Sequence, residues 1–184
     1  MTSPACLLCN STSTLFCEKP KHLFYKCNIC DGIFRPKHTF LTAEEEKAHY
    51  EKHNNDVFDE RYQAFVSPIV EAVLQDFSPE AKGLDFGSGT GPVIAKILTD
   101  KGYQVQNYDL FFANDVSLLN QKYDYVSCCE VMEHFHQPYK EFKLLKSLLF
   151  PKGKLYCKTA VYNHQIPFEN WYYKDDFTHV FIYQ

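Results

Sequence analysis

Between residues 58 and 77 apolar side chains recur every three or four positions. Tyr62, Phe65, Val66, Ile69, Val70, Val73 and Leu74 fall on one helical face. Pro68 within the run predicts an interruption or kink, and Ser78-Pro79 ends the helix. A shorter helix is predicted from Ala43 through Tyr50. Thr42 stands as its N-cap, acids fill its first turn, and Glu45 completes a capping-box pattern. His53-Asn54-Asn55-Asp56 breaks that pattern before the second helix. From Lys82 onward short apolar runs alternate with helical segments, which predicts a parallel sheet. The strands are Gly83–Phe86, Gln104–Asp109, Tyr123–Cys129 and Lys154–Thr159. A helix over Tyr139–Leu149 and a Pro151-Lys152-Gly153 turn precede the last of them. There are no internal repeats or low-complexity tracts.

At 184 residues the chain accommodates one medium domain and a small appendage. The formal net charge of -4 excludes a whole-chain basic field for nucleic acid, although not a local patch. No apolar run approaches the roughly 20 residues needed to cross a bilayer. Met1-Thr2-Ser3-Pro4-Ala5-Cys6 lacks the basic and apolar regions of a signal peptide. The expectation is a cytoplasmic protein, whose eight cysteines are reduced thiols or metal ligands rather than disulfides.

Four of those cysteines form a pattern. Cys6-x-x-Cys9 and Cys27-x-x-Cys30 are separated by seventeen residues, the spacing of a tetrahedral four-cysteine zinc site. About forty residues cannot build a stable core alone, so a metal would supply the fold of this segment. Leu23-Phe24-Tyr25-Lys26 reads as the strand entering the second pair, and Cys17 as a spare thiol. The alternatives are buried structural thiols or a redox pair.

Gly83-Leu84-Asp85-Phe86-Gly87-Ser88-Gly89-Thr90-Gly91 carries the chemistry of the second half. A buried strand enters a glycine turn, and Val93 to Leu98 leaves it as a helix. Such a turn lets backbone N–H groups approach a ligand that a Cβ would block. A dinucleotide fingerprint would read G-x-G-x-x-G. Here the spacing is G-x-G-x-G, with Asp85 two residues before Gly87 and Pro92 in the place of the third dinucleotide glycine.

This pattern resembles motif I of the class I S-adenosylmethionine (SAM) methyltransferases. Tyr123 through Phe135, with Glu130, Glu133 and His134, resembles the fourth-strand motif of the same superfamily, and Phe150 through Leu155 adds to the likeness. The resemblance covers roughly residues 58–161 and is nearest to the branch of ubiquinone-biosynthesis O-methyltransferases. It implies a cofactor site of Asp85, Gly87, Ser88, Gly89, Gly91, Asp109, Leu110 and Glu130. Asp85 would lie near the amino group of the methionine moiety, and Asp109 would accept both ribose hydroxyls. As a plain strand-end residue, Asp109 would instead be a cap. Asp115 is a further candidate near the adenine. In that branch an E-x-x-E-H cluster holds a divalent ion, and Glu130, Glu133 and His134 match it. Glu133 and His134 are also the candidate catalytic residues, with His134 as general base; otherwise the two acids cap the following helix. The aromatic segment Asn170 to His179 reads either as a lid carrying Trp171 and His179 or as a packed surface loop.

Two departures from the family stand out. Only 13 residues separate Asp109 from Tyr123, too few for a full helix, third strand and second helix. The last two strands are also largely missing, which leaves a sheet edge exposed or paired with another subunit. The expected architecture is α/β: a zinc ribbon over residues 1–40, a helical connector over 41–78 and a shortened Rossmann-like methyltransferase sheet over 79–184. The expected activity is methyl transfer from SAM to a small molecule, at a hydroxyl. An RNA base is the other acceptor class, and a non-catalytic module binding SAM and zinc is the reading outside enzymes.

Overall fold

The computed structural model describes residues 3–20, 22–52 and 55–184. The expected break at His53-Asn54 lies outside the described residues, as do Met1 and Thr2. In chain order the elements are β1 (Ser13–Lys19), β2 (His22–Cys27), β3 (Ile33–Phe34), α1 (Ala43–Tyr50), α2 (Glu60–Asp76), β4 (Lys82–Phe86), α3 (Val93–Asp100), β5 (Gln104–Tyr108), β6 (Tyr123–Cys129), α4 (Pro138–Leu148), β7 (Leu149–Lys158) and β8 (Phe181–Ile182).

They form two compact units that cut across the boundaries expected from sequence. One comprises residues 1–43, 130–142 and 159–184; the other comprises 44–129 and 143–158. The physical reason lies in β8. Its residues Phe181 and Ile182 pair antiparallel with Phe34 and Ile33, so the end of the chain completes the sheet β1-β2-β3-β8 begun by the cysteine-bearing segment. Phe24, Ile33, Phe168, Trp171, Tyr173 and Ile182 pack as one apolar cluster of this unit. The aromatic segment therefore forms a core here: Trp171 is 8% exposed and His179 7%. Arg35 is fully buried, its guanidinium 4.4 Å from the Phe24 ring centre and its Nη2 donating to the Lys174 carbonyl at 2.8 Å. Burial lowers its pKa to about 10, still high enough to hold the charge at neutral pH.

The other unit holds a four-stranded parallel sheet in the order β5-β4-β6-β7. Both faces of β4 are buried, as a parallel strand requires. α2 and α3 cover the sheet through Val66, Ile69, Val70, Val73, Val93, Ile94 and Leu98. Asp59 caps α2 by accepting from the Arg61 N–H at 2.9 Å. Pro68 does not end this helix. It sits on the exposed face, where the carbonyl that loses its N–H partner can meet water, and the buried valine and isoleucine stripe holds the rest in place. The expected Pro151-Lys152-Gly153 turn is instead absorbed into β7. Tyr123 pairs with Leu149 and Tyr125 with Lys154, so the extra residues bulge out where Lys152 adopts φ 71°.

No third strand lies between β5 and β6 among the described residues. Asp109 bridges Ala113, and a 3-10 helix covers Val116–Asn120. Asp115, considered for the adenine, caps this turn by accepting from the Ser117 N–H at 3.0 Å. The chain therefore runs from β5 on one side of β4 to β6 on the other. That reversal puts the topological switch point at the carboxyl end of β4, where open parallel sheets bind ligands.

Gly83 shows how tightly this sheet is packed. A Cβ there would lie 2.2 Å from the ring of Tyr125, which is fully buried. Gly83→Ala should destabilise the protein by about 1–3 kcal/mol through overpacking. A thermal melt checks this, and an unchanged Tm would refute the close approach.

Candidate functional site

At the carboxyl end of β4 the chain turns through Gly87 (φ 78°) and Gly89 (φ 63°), both in the left-handed region that only glycine adopts without strain. Gly87 and Ser88 donate their N–H groups to the Tyr108 carbonyl at 2.8 and 3.2 Å, which ties the turn to the end of β5. Gly91 answers a different constraint. A Cβ on it would lie 1.8 Å from the Asn55 carbonyl oxygen, so the segment before α2 rests directly on the turn.

Asp109 clamps the same turn. Its Oδ2 accepts from the Gly89 N–H at 2.9 Å; its Oδ1 accepts from Phe111 and Phe112 at 2.8 and 3.1 Å. Three of the roughly four acceptor positions of the carboxylate are thus used by the protein itself. Leu110, beside it, is exposed. Asp85 is buried below the turn and accepts from Ser127 Oγ at 2.8 Å. Burial pushes its pKa up to about 6. Tyr62 and Val66 of α2, Asp85, Ser88, Gly91 and Cys129 line one small cleft here.

The family model described as a methyltransferase domain matches residues 58–184. The chain belongs to the methyltransferase-domain family. The glycine turn, Asp85 and Asp109 all fall within the match, and the four-cysteine segment precedes it. No curated protein matches the chain. Among solved structures it is similar to the magnesium protoporphyrin IX methyltransferase (ChlM) of Synechocystis PCC 6803, crystallised with bound SAH. The identity is 16% over 61% of this chain, and the TM-score is 0.35. The chain spans 66% of the length of that protein, a likeness too distant to carry any inference.

The methyltransferase domain contains a second group of polar residues, just past β6. Glu130 has φ 52°, an uncommon conformation for a residue with a side chain. Glu133 is completely buried. Tyr173 donates its hydroxyl to Glu133 Oε1, with Glu130 Oε2 at 3.1 Å and Thr159 Oγ1 at 2.9 Å from the same oxygen. Burial, and then the Glu133 carboxylate, drives the Tyr173 pKa far upward and keeps it a proton donor. His134 Nδ1 lies 3.0 Å from the Thr178 carbonyl, and His179 Nδ1 lies 2.7 Å from that of Tyr173. A carbonyl only accepts, so each Nδ1 carries a proton, and in the neutral ring Nε2 holds the lone pair. Burial, and then the neighbouring His134, lowers the His179 pKa and keeps that ring neutral. Glu133 and His134 are therefore joined by Tyr173 and His179. Glu130, counted with the cofactor residues in the sequence, directs its carboxylate to Tyr173.

The four paired cysteines also converge. Cys6 Sγ lies 3.6 Å from Cys30 Sγ, and Cys9 Sγ 3.4 Å from Cys27 Sγ. Zn–S bonds of about 2.3 Å in a tetrahedron put sulfurs about 3.8 Å apart. All four ligand atoms fall within one cluster, and the Ile29 and Cys30 N–H groups both point to Cys27 Sγ at 3.4 Å. Asn10 and Asp31, each following a pair, adopt positive φ and turn the chain away. Cys17 lies in β1, outside the cluster.

Several of these residues left no mark in the sequence pattern. Tyr62 and Val66 were legible only as a helical stripe. Asn55 carries no motif of its own, whereas Ser127 and Cys129 lie inside the fourth-strand likeness and Tyr173 and His179 in the aromatic segment, with nothing there to name their partners.

Proposed function

We propose that the protein is a SAM-dependent methyltransferase acting on a small molecule at a hydroxyl. The observation that carries this is the glycine turn at the switch point, flanked by Asp85 beneath and Asp109 at its rim. The bound cofactor supplies an electrophilic methyl group on a sulfonium. Backbone N–H groups of the turn and Ser88 would receive the carboxylate of its methionine moiety, and Asp85 the ammonium. Asp109 has one acceptor position left for a ribose hydroxyl, so it would hold one hydroxyl directly and release Gly89 to hold the second. The exposed Leu110 would pack on the purine.

Held there, the cofactor would supply its methyl group to an acceptor oxygen, and the hydroxyl proton would pass to a general base of the chain. Alignment supplies most of the rate. Nε2 of His134 is the atom that takes a proton or an ion, and Glu133 with Tyr173 fixes its surroundings. The four-cysteine cluster would hold a structural zinc ion: the sulfur spacing and the N–H groups directed to Cys27 suit thiolates on one metal. The E-x-x-E-H likeness favours a quinol-like or other hydroxylated acceptor, and the net charge of -4 counts against RNA.

Calorimetric titration with SAM tests the cofactor claim. Asp109→Ala should weaken binding by about 1.5–3 kcal/mol, as for lost hydrogen bonds to a charged group, and should also lower Tm by releasing three N–H groups. Unchanged affinity in a folded Asp109→Ala protein removes that residue from the site. Radiolabelled SAM offered with hydroxylated metabolites or with RNA then identifies the acceptor class. Tight SAM binding with no acceptor methylated would favour the binding-module reading.

A further inference from the structure

We propose that Glu133, His134 and His179 form a seat for a divalent transition-metal ion, separate from the four-cysteine cluster and closed by the C-terminal segment. One ligand atom from each lies within 4.8 Å of the others. Matching the sequence motif puts Glu130 in this set; the structure exchanges it for His179, 46 residues beyond Glu133 in the chain.

Three observations go beyond proximity. Glu133 is completely buried, and its Oε2 has no hydrogen-bond partner among the described residues. A buried polar atom left so costs about 1–3 kcal/mol, more when charged, and a cation would remove that cost. Next, both imidazoles donate Nδ1–H to backbone carbonyls, of Thr178 and of Tyr173. That outer contact fixes the tautomer of most metal-bound histidines and makes Nε2 the ligating atom. Finally, Tyr173 holds the other oxygen of Glu133 and so orients the carboxylate toward the two rings. The remaining nearby acid, Asp176, is 3.9 Å from His179 Nε2 and is itself held by the Thr178 N–H and hydroxyl at 2.8 and 2.6 Å.

The donor set selects the ion. Two neutral imidazoles and one carboxylate suit zinc or a similar transition metal, whereas magnesium prefers oxygen ligands. Three protein ligands leave a fourth position for water or a hydroxyl, whose pKa the ion would lower. The assignment does not depend on the methyl-transfer reading.

The test uses the full chain equilibrated with zinc and then freed of unbound metal, with zinc counted and its neighbours identified by X-ray absorption. Two zinc ions per chain are expected, one with sulfur neighbours and one with nitrogen and oxygen. Glu133→Gln, which keeps the Tyr173 hydrogen bond, and His134→Asn should each reduce this to one sulfur-bound ion, with circular dichroism unchanged. A single sulfur-bound zinc in the unaltered protein overturns the proposal. So do two zinc ions that both persist in folded variants, or a nitrogen–oxygen site that takes only magnesium. SAM calorimetry on the same preparation separates the two readings. SAM bound with one zinc sinks the ion seat alone, and two zinc ions without SAM binding sink the methyl-transfer reading alone.

Discussion

Cys27→Ser, or removal of zinc with a strong chelator, should unfold the unit built on β1, β2, β3 and β8. Cys27 is 1% exposed, and with Cys6 it packs against Phe34 and Phe181 in one apolar cluster. As zinc ligands these sulfurs would therefore serve as core as well. Structural zinc contributes about 10–16 kcal/mol at pH 7 in small four-ligand modules, comparable to the entire stability of a domain. Four thiols crowded without a metal would repel as they ionise and leave the turns unsupported. The readout is built in: Trp171 is the sole tryptophan and lies in the core cluster of this unit. Its emission should shift to the red on chelation and return when zinc is restored. Zinc-free protein with unchanged Trp171 emission and Tm would refute a structural metal.

The second large effect is expected at Asp85, where ligand binding and stability should move in opposite directions. Burial raises its pKa in the folded chain to about 6, above the ordinary aspartate value of 3.8. An acid raised on folding stabilises the fold below its unfolded pKa, and that contribution is lost as pH rises through about 6. That difference corresponds to about 3 kcal/mol lost between roughly pH 4 and pH 6. Asp85→Asn cannot ionise, yet its carbonyl can still accept from Ser127. The variant should therefore melt at the same temperature as the parent protein or higher at pH 7.5, and its stability should no longer fall across that window. Its affinity for SAM should drop about 10- to 150-fold, the equivalent of 1.5–3 kcal/mol for a hydrogen bond to a charged partner. Equal SAM affinity would remove Asp85 from the ammonium site. A marked loss of Tm at pH 7.5 would show that the carboxylate is structural instead.

The glycine turn and the cysteine pairs were readable because each is a local backbone event. Gly87 and Gly89 need positive φ, and within a few residues the sequence says so. The C-x-x-C pairs each aim two sulfurs by the same short-range logic, with Asn10 and Asp31 supplying the turn that follows. The strands β4, β5 and β6 were readable from their apolar runs, and the missing third strand from a count of residues. Pro68 misled in one respect: a helix rule written for isolated chains yields when a buried stripe holds both sides of the proline.

Sequence alone thus determined the parallel α/β sheet, the strand–turn–helix at its switch point and the four-cysteine pattern, because hydrophobic period, glycine conformation and ligand spacing act over short stretches of chain. Tertiary structure decided what the end of the chain does. The pairing of Ile33 with Ile182 carries Tyr173 and His179 to Glu133 and His134, and turns an apparent lid into the core of the cysteine-bearing unit. Tertiary structure also decided that Asp109 clamps Gly89 and that Ser127 meets Asp85. These contacts join residues 20 and 42 positions apart, and no periodicity along a chain encodes which of its distant parts will meet.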